Sequence, residues 1–241
     1  MASKVVNNIR KRIGKTIYSH SLIEENDRIL IGLSGGKDSY VLLDSLADRR
    51  KYLPFNFEIV AAHIHIENIG YQTDKKYLQQ ICDERNIPLH YFDFEIDKPE
   101  NHNKSMCFLC SWYRRKTLFK ASKTLNCNKL ALGHHMDDAV ETLLLNQIFH
   151  GSLSGLPPKL KMFEGRVHVI RPLLGMRDKE MLKYAEEMSF QQQLKDCPYT
   201  NTNRQTIRNL LKTIENINPA GVKNIFRSPN KIFTEYLPIN R

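Results

Sequence analysis

Ser34-Gly35-Gly36-Lys37-Asp38-Ser39 gathers two glycines, two hydroxyls, a cation and an acid into one short run. An apolar stretch, Ile29-Leu30-Ile31-Gly32-Leu33, precedes it, and a helical pattern follows. Glycines let amide N–H groups approach an oxygen closely, a helix start offers its positive end, and Lys37 adds a full charge. These are the requirements of a phosphate cradle. The spacing excludes a Walker loop. Gly32 and Gly36 stand one residue too close for G-x-x-x-x-G-K-[ST], and Asp38 occupies the Ser/Thr place.

A second constellation, Gly133-His134-His135-Met136-Asp137-Asp138, follows the apolar Leu130-Ala131-Leu132. Gly133 permits a tight strand exit. Asp137 or Asp138 can cap the next helix, because a carboxylate accepts the orphan N–H bonds of a helix start. Capping explains one aspartate but not two histidines and two aspartates in a row. Carboxylates here also suit Mg²⁺ held against phosphate oxygens.

The third set is sulfur. Cys107-Phe108-Leu109-Cys110 supplies two thiols, and Asp196-Cys197-Pro198-Tyr199 a third. A single C-x-x-C is half a zinc site, a redox pair or coincidence. Spacing alone weighs zinc, with a fourth ligand such as His102, equally with iron–sulfur. Cys82 lies in an amphipathic pattern and reads as core packing; Cys127 reads as a turn residue without a role.

The elements that must position these groups alternate. Strands are expected at 28–33, 57–65, 89–94, 129–132 and 167–170. Helices are expected at 3–20, 39–50, 72–86, 109–125, 137–150, 177–188 and 203–217. The pattern is α/β: a doubly wound parallel sheet of about five strands, with helical N- and C-terminal extensions. In the order 3-2-1-4-5, strands 1 and 4 are neighbours, and ligands bind outside their carboxyl ends. Both motifs then face one cleft, with His63 and His65 at the end of strand 2 beside it. Gly151 to Pro158 and Asn101 to Lys104 read as loops suited to covering a site.

The chain carries 36 Lys and Arg against 26 Asp and Glu, a net charge of +10 that favours a polyanionic partner. The cations cluster: Arg10-Lys11-Arg12, Arg49-Arg50-Lys51, Arg114-Arg115-Lys116 with Lys120 and Lys123, and Arg204 with Arg208 and Lys212. The last two sets have helical spacing. No apolar run reaches the ~20 residues of a membrane span, and no signal peptide is evident. The chain reads as cytoplasmic, with cysteines that are thiols or ligands rather than disulfides.

The S-G-G-K-D-S loop resembles that of ATP pyrophosphatases, which split ATP between the α and β phosphates. With A-L-G-H-H-M-D-D-A-V-E-T-L-L-L-N, L-P-P-K-L and V-I-R-P-L, the chain resembles the tRNA 2-thiocytidine synthetases of the adenine nucleotide alpha-hydrolase (PP-loop, HUP) superfamily, over roughly residues 5–230. The resemblance implies ATP at Leu33, Ser34, Gly35, Gly36, Lys37, Asp38 and Ser39, with His63, Gly133, His134 and Asp138 beside it. Lys37, Asp38 and Asp137 become the catalytic candidates, the two aspartates positioning Mg²⁺.

It further implies a [4Fe–4S] cluster on Cys107, Cys110 and Cys197, and tRNA contacts from Arg114, Arg115, Arg171, Arg204 and Arg208. Its partners are tRNA and a sulfur donor, sulfide or a cysteine desulfurase; related enzymes are often homodimers. The domains so implied are a basic N-terminal helix at 1–24, an ATP pyrophosphatase domain at 25–195 and a helical segment at 196–241 supplying Cys197. D-C-P-Y-T-N instead resembles the third-cysteine region of 2-thiouridine enzymes, although the zinc-binding cysteine pairs of many such enzymes are absent. Thiocytidine, thiouridine and lysidine-type chemistry, and a non-catalytic nucleotide- or redox-sensing nucleic-acid binder, are therefore the readings to separate.

Overall fold

The computed structural model describes residues 3–68, 73–96, 106–191 and 203–237. The chain divides into two compact units, Met1–His135 with Pro157–Thr200, and Met136–Leu156 with Asn201–Arg241. The first contains α1 (Lys4–Ser19), β1 (Arg28–Gly32), α2 (Lys37–Arg49), β2 (Glu58–Ile66), α3 (Lys75–Asp83), β3 (Leu89–Phe94), α4 (Met106–Thr124) and β4 (Lys129–Ala131). The second begins with α5 (Met136–His150). The chain then returns to the first for β5 (Lys159–Met162), β6 (Val167–Ile170) and α6 (Asp178–Glu187), and ends in the second with α7 (Asn203–Ile217) and α8 (Gly221–Arg227).

The sheet order is β3-β2-β1-β4-β6-β5. Its five parallel strands are those expected, with Ile31 registered against Ala61 on one side and Ala131 on the other. The sixth, β5, was not expected. It runs antiparallel on β6, and its Lys-Leu-Lys-Met sequence after Pro157-Pro158 reads as loop. Lysines at an edge are how sheets discourage further pairing, so the polar character belongs to an edge strand.

Alternation along the strands builds both layers. Ile29 and Ile31 join a core with α1, α2, α3 and α6, while Leu30, Val60 and Ala62 face the α4 side with Ala121. On α1, Val6, Ile9, Ile13 and Ile17 recur at helical spacing and are buried, and the Ser3 hydroxyl caps the helix by accepting from Val6 N–H. Two of its cations turn into the fold: Arg10 pairs with Asp44 and Asp48, and Arg12 with Glu180, whereas Lys4, Lys11 and Lys15 are exposed.

Asp44 ties four segments together. Arg10 and the Tyr184 hydroxyl donate to one of its oxygens, and Arg85 Nε and Nη2 donate to the other at 3.0 and 2.8 Å. Burial alone would push this carboxyl up. The Tyr184 hydroxyl and the two guanidiniums outweigh it and hold the carboxyl below its ordinary value.

In the second unit, Val140, Ile207, Leu211 and Val222 form a small core. Arg208 Nε lies 2.7 Å and Arg204 Nε 3.7 Å from the buried carboxylate of Glu141. Burial pushes Glu141 up despite the pull of those arginines. Both arginines thus already face a carboxylate.

Candidate functional site

The cradle is assembled by short-range geometry. Leu33 N–H continues the sheet by donating to the Ala62 carbonyl at 2.9 Å, and the chain then turns at Gly35 with φ +88°. A Cβ at Gly35 would also lie 2.3 Å from Thr73 Cγ2, so both conformation and space require glycine. Ser39 Oγ donates to the Gly36 carbonyl at 2.7 Å, and Ser34 Oγ accepts from Gly36 N–H at 3.3 Å. The hydroxyls shape the loop. No side chain caps α2 at Gly36, whereas Asp74 caps α3 by accepting from Lys76 and Tyr77 N–H.

Gly133 brings the second motif to the first. A Cβ there would lie 3.1 Å from the backbone C and O of Asp38. Backbone moves aside less readily than a side chain, so this close contact favours glycine. Asp137 and Asp138, by contrast, fall in the first turn of α5 in the second unit.

Lys37 Nζ lies 3.1 Å from both Asp38 carboxylate oxygens and 2.7 Å from Asp178 Oδ1. Burial would lower the Lys37 pKa, but Asp38 and Asp178 raise it above the ordinary value, so the ammonium is charged. His135 Nε2 is 3.3 Å from Asp178 Oδ1. The hydrogen bond from His135, and then Lys37, hold the Asp178 carboxyl far below the carboxylate range. Ligand atoms of Asp38, His135 and Asp178 all lie within 4.8 Å of one another. Two ionised carboxylates beside a phosphate cradle fit Mg²⁺, a hard cation bound through a few protein oxygens plus phosphate.

Asp178 escaped the sequence reading. An aspartate in the first turn of a helix reads as compensation of the helix dipole. His135, which the sequence reading did not single out, makes the short approach to Asp178. His63 is fully buried, and its Nδ1–H donates to the Leu33 carbonyl at 2.8 Å. Burial holds its pKa down, so the ring is neutral and buttresses the loop.

α4 starts at Met106, earlier than expected, so Cys107 and Cys110 lie one turn apart inside the helix. Cys110 packs on Ile66, Ile96 and Leu109, which fixes this end of α4 against the ends of β2 and β3. Two half-buried thiols at this spacing fit two ligand positions of an iron–sulfur cluster. An anionic cluster there would also meet the positive end of α4. Cys197, His102 and the 101–104 segment lie outside the described residues. Cys82 and Cys127 are buried; burial, then Asp83, pushes the Cys82 thiol up to about 12, as core packing requires.

Arg171 ends β6 and is 5% exposed. Its Nη1 donates to the Pro157 carbonyl at 2.6 Å, and no carboxylate pairs with it among the described residues. Burial, and then the charge of Arg115, lower its pKa to about 10.

Residues 3–219 match the PP-loop domain family. The chain belongs to that family. Among curated relatives of this PP-loop chain, a tRNA-cytidine(32) 2-sulfurtransferase of Geobacter sp. strain M21 is 35% identical over 95% of this chain and 92% of the relative. Another, from Vibrio parahaemolyticus serotype O3:K6, is 37% identical over 94% of this chain and 77% of the relative. The U34-tRNA thiolase NcsA of Methanococcus maripaludis, solved with its [4Fe-4S] cluster, superposes with a TM-score of 0.78 at 25% identity, covering 97% and 80% of the two chains. NAD⁺ synthetase of Burkholderia pseudomallei, at 12% identity and a TM-score of 0.51 over 98% and 91%, shares the fold.

Proposed function

We propose that this PP-loop chain is an ATP-dependent tRNA sulfurtransferase that replaces the C2 oxygen of a cytidine with sulfur. The reading rests on 35–37% identity with tRNA-cytidine(32) 2-sulfurtransferases along 94–95% of the chain. A carbonyl oxygen is a poor leaving group, and AMP transfer makes it a good one. The base oxygen attacks the α-phosphorus, the bond to the β-phosphate breaks, and pyrophosphate leaves. Sulfur then attacks C2, and AMP departs with the original oxygen.

This chain's residues supply charge and position. Lys37 and the Gly36–Ser39 backbone at the start of α2 stabilise charge developing on the β and γ phosphates. Asp38 and Asp178 would hold Mg²⁺ there, with His135 fixing Asp178. Cys107, Cys110 and Cys197 would hold a [4Fe–4S] cluster, whose iron lacking a protein ligand offers a place for sulfur. Basic side chains bind the tRNA, whose target base must leave its stack.

A 2-thiouridine product is the second reading, favoured by the fit to NcsA. Mass spectrometry of tRNA nucleosides from cells lacking the protein separates the two. Loss of 2-thiocytidine supports the proposal, loss of a 2-thiouridine moves the reaction to the other base, and an unchanged thionucleoside profile removes it. Iron analysis of anaerobically purified protein excludes the lysidine-type alternative if iron is bound.

A further inference from the structure

α4 carries a second surface, lined by none of the residues assigned above to ATP, Mg²⁺ or the cluster. Between it and the β5–β6 connection runs an open groove of about 880 Å³, within the size range of small-ligand sites. Trp112, Phe119 and Phe163 supply rings, and Arg115, Lys116, Lys120, Lys123 and Arg166 supply charge; no aspartate or glutamate lines it. Trp112 is 46% and Phe163 54% exposed, a high fraction for such large rings. Phe163 meets Phe119 edge-on at 5.0 Å, and Lys116 Nζ lies 4.7 Å from the Trp112 ring centre.

The backbone spends strain to present Phe163. Phe163 and Glu164 have φ +50° and +60°, a region bulky residues avoid at a cost of about 1–3 kcal/mol each. One groove residue, Arg115, also neighbours the buried Arg171, which has no carboxylate partner among the described residues. Rings alternating with cations are how single-stranded nucleic acid is held without sequence readout. A second copy of this chain would set like charges against each other across the groove.

We propose that this α4 groove binds an unpaired nucleotide of the RNA substrate, with Trp112 and Phe163 stacking on its base and Arg115, Lys120, Lys123 and Arg166 holding the flanking phosphates. RNA as partner is taken from the reaction proposed above, but the groove's occupancy does not require that reaction.

Trp112 is the only tryptophan in the chain, so its emission reports the groove directly. Unmodified tRNA transcript titrated into the full-length protein without ATP should quench Trp112, with an affinity that falls steeply with salt. Phe163→Ala should weaken the quench about tenfold, and Phe163→Tyr should restore it. Circular dichroism would confirm that both variants are folded. Saturating tRNA that gel-shifts the protein without altering Trp112 emission would overturn the proposal, as would a Phe163→Ala affinity equal to wild type. Quenching that tracks protein concentration alone would assign the groove to a second copy and overturn it too. Normal quenching without thiolation would instead sink the reaction and leave the groove standing.

Discussion

Lys37 Nζ lies 2.7 Å from Asp178 Oδ1 although 141 residues separate them in the chain. The loop's one cation is held by an acid from the start of α6, and that acid is held in turn by His135. If Asp38 and Asp178 position Mg²⁺, Asp38→Asn and Asp178→Asn should each raise the Mg²⁺ concentration needed for half-maximal AMP formation about tenfold, at saturating ATP. An unchanged metal titration in both variants would remove them as ligands.

Lys37→Ala should lower ATP-dependent AMP formation about 10²- to 10³-fold, the usual consequence of deleting one charge-stabilising group. The iron content and visible spectrum should be those of wild type. Bleaching of the chromophore in this variant would mean that the loop supports the thiols rather than the nucleotide.

Cys107→Ser and Cys110→Ser should each lose iron in anaerobic preparations, and Cys197→Ser likewise. Cys82→Ser should retain it, and Cys82 should resist alkylation in the folded protein because burial keeps its thiol protonated. A Cys107 or Cys110 variant with full iron is not a ligand change.

The buried acid beneath α1 governs acid stability. Asp44→Ala would leave Arg10 and Arg85 without their shared partner and should cost about 3 kcal/mol in urea unfolding. The folded Asp44 carboxyl titrates below its unfolded value, so the unfolded chain binds the extra proton first. Its stabilisation is therefore complete above about pH 4 and is lost as pH falls through the folded pKa. The variant should show a flatter stability profile in that window; a slope matching wild type would contradict the assignment.

What could be read in advance follows from range. The phosphate cradle is local: two glycines, a lysine and a strand before them are contiguous, so Ser34–Ser39 was recognisable from the residues alone. The five parallel strands were legible because β-branched runs and helical periods alternate. Asp178 was not, since its meaning comes from Lys37, and nothing beside it in sequence hints at that partner. The approach of His135 to Asp178 depends on where the backbone turns after Gly133, which composition does not encode. β5 was hidden because an edge strand needs polar residues and so reads as loop. The inward pairing of Arg10 and Arg12 was not legible because their acids, Asp44 and Glu180, lie on α2 and α6.

The uncapped start of α2 has a thermodynamic consequence. Ser3 and Asp74 finish their own helices, but no side chain caps the helix behind Gly36. Under the proposed reaction, a triphosphate completes it, so the nucleotide acts as a removable piece of the fold. Melting temperature should then climb with the logarithm of ATP concentration above its dissociation constant. A cell depleted of ATP would hold this protein in its least durable form.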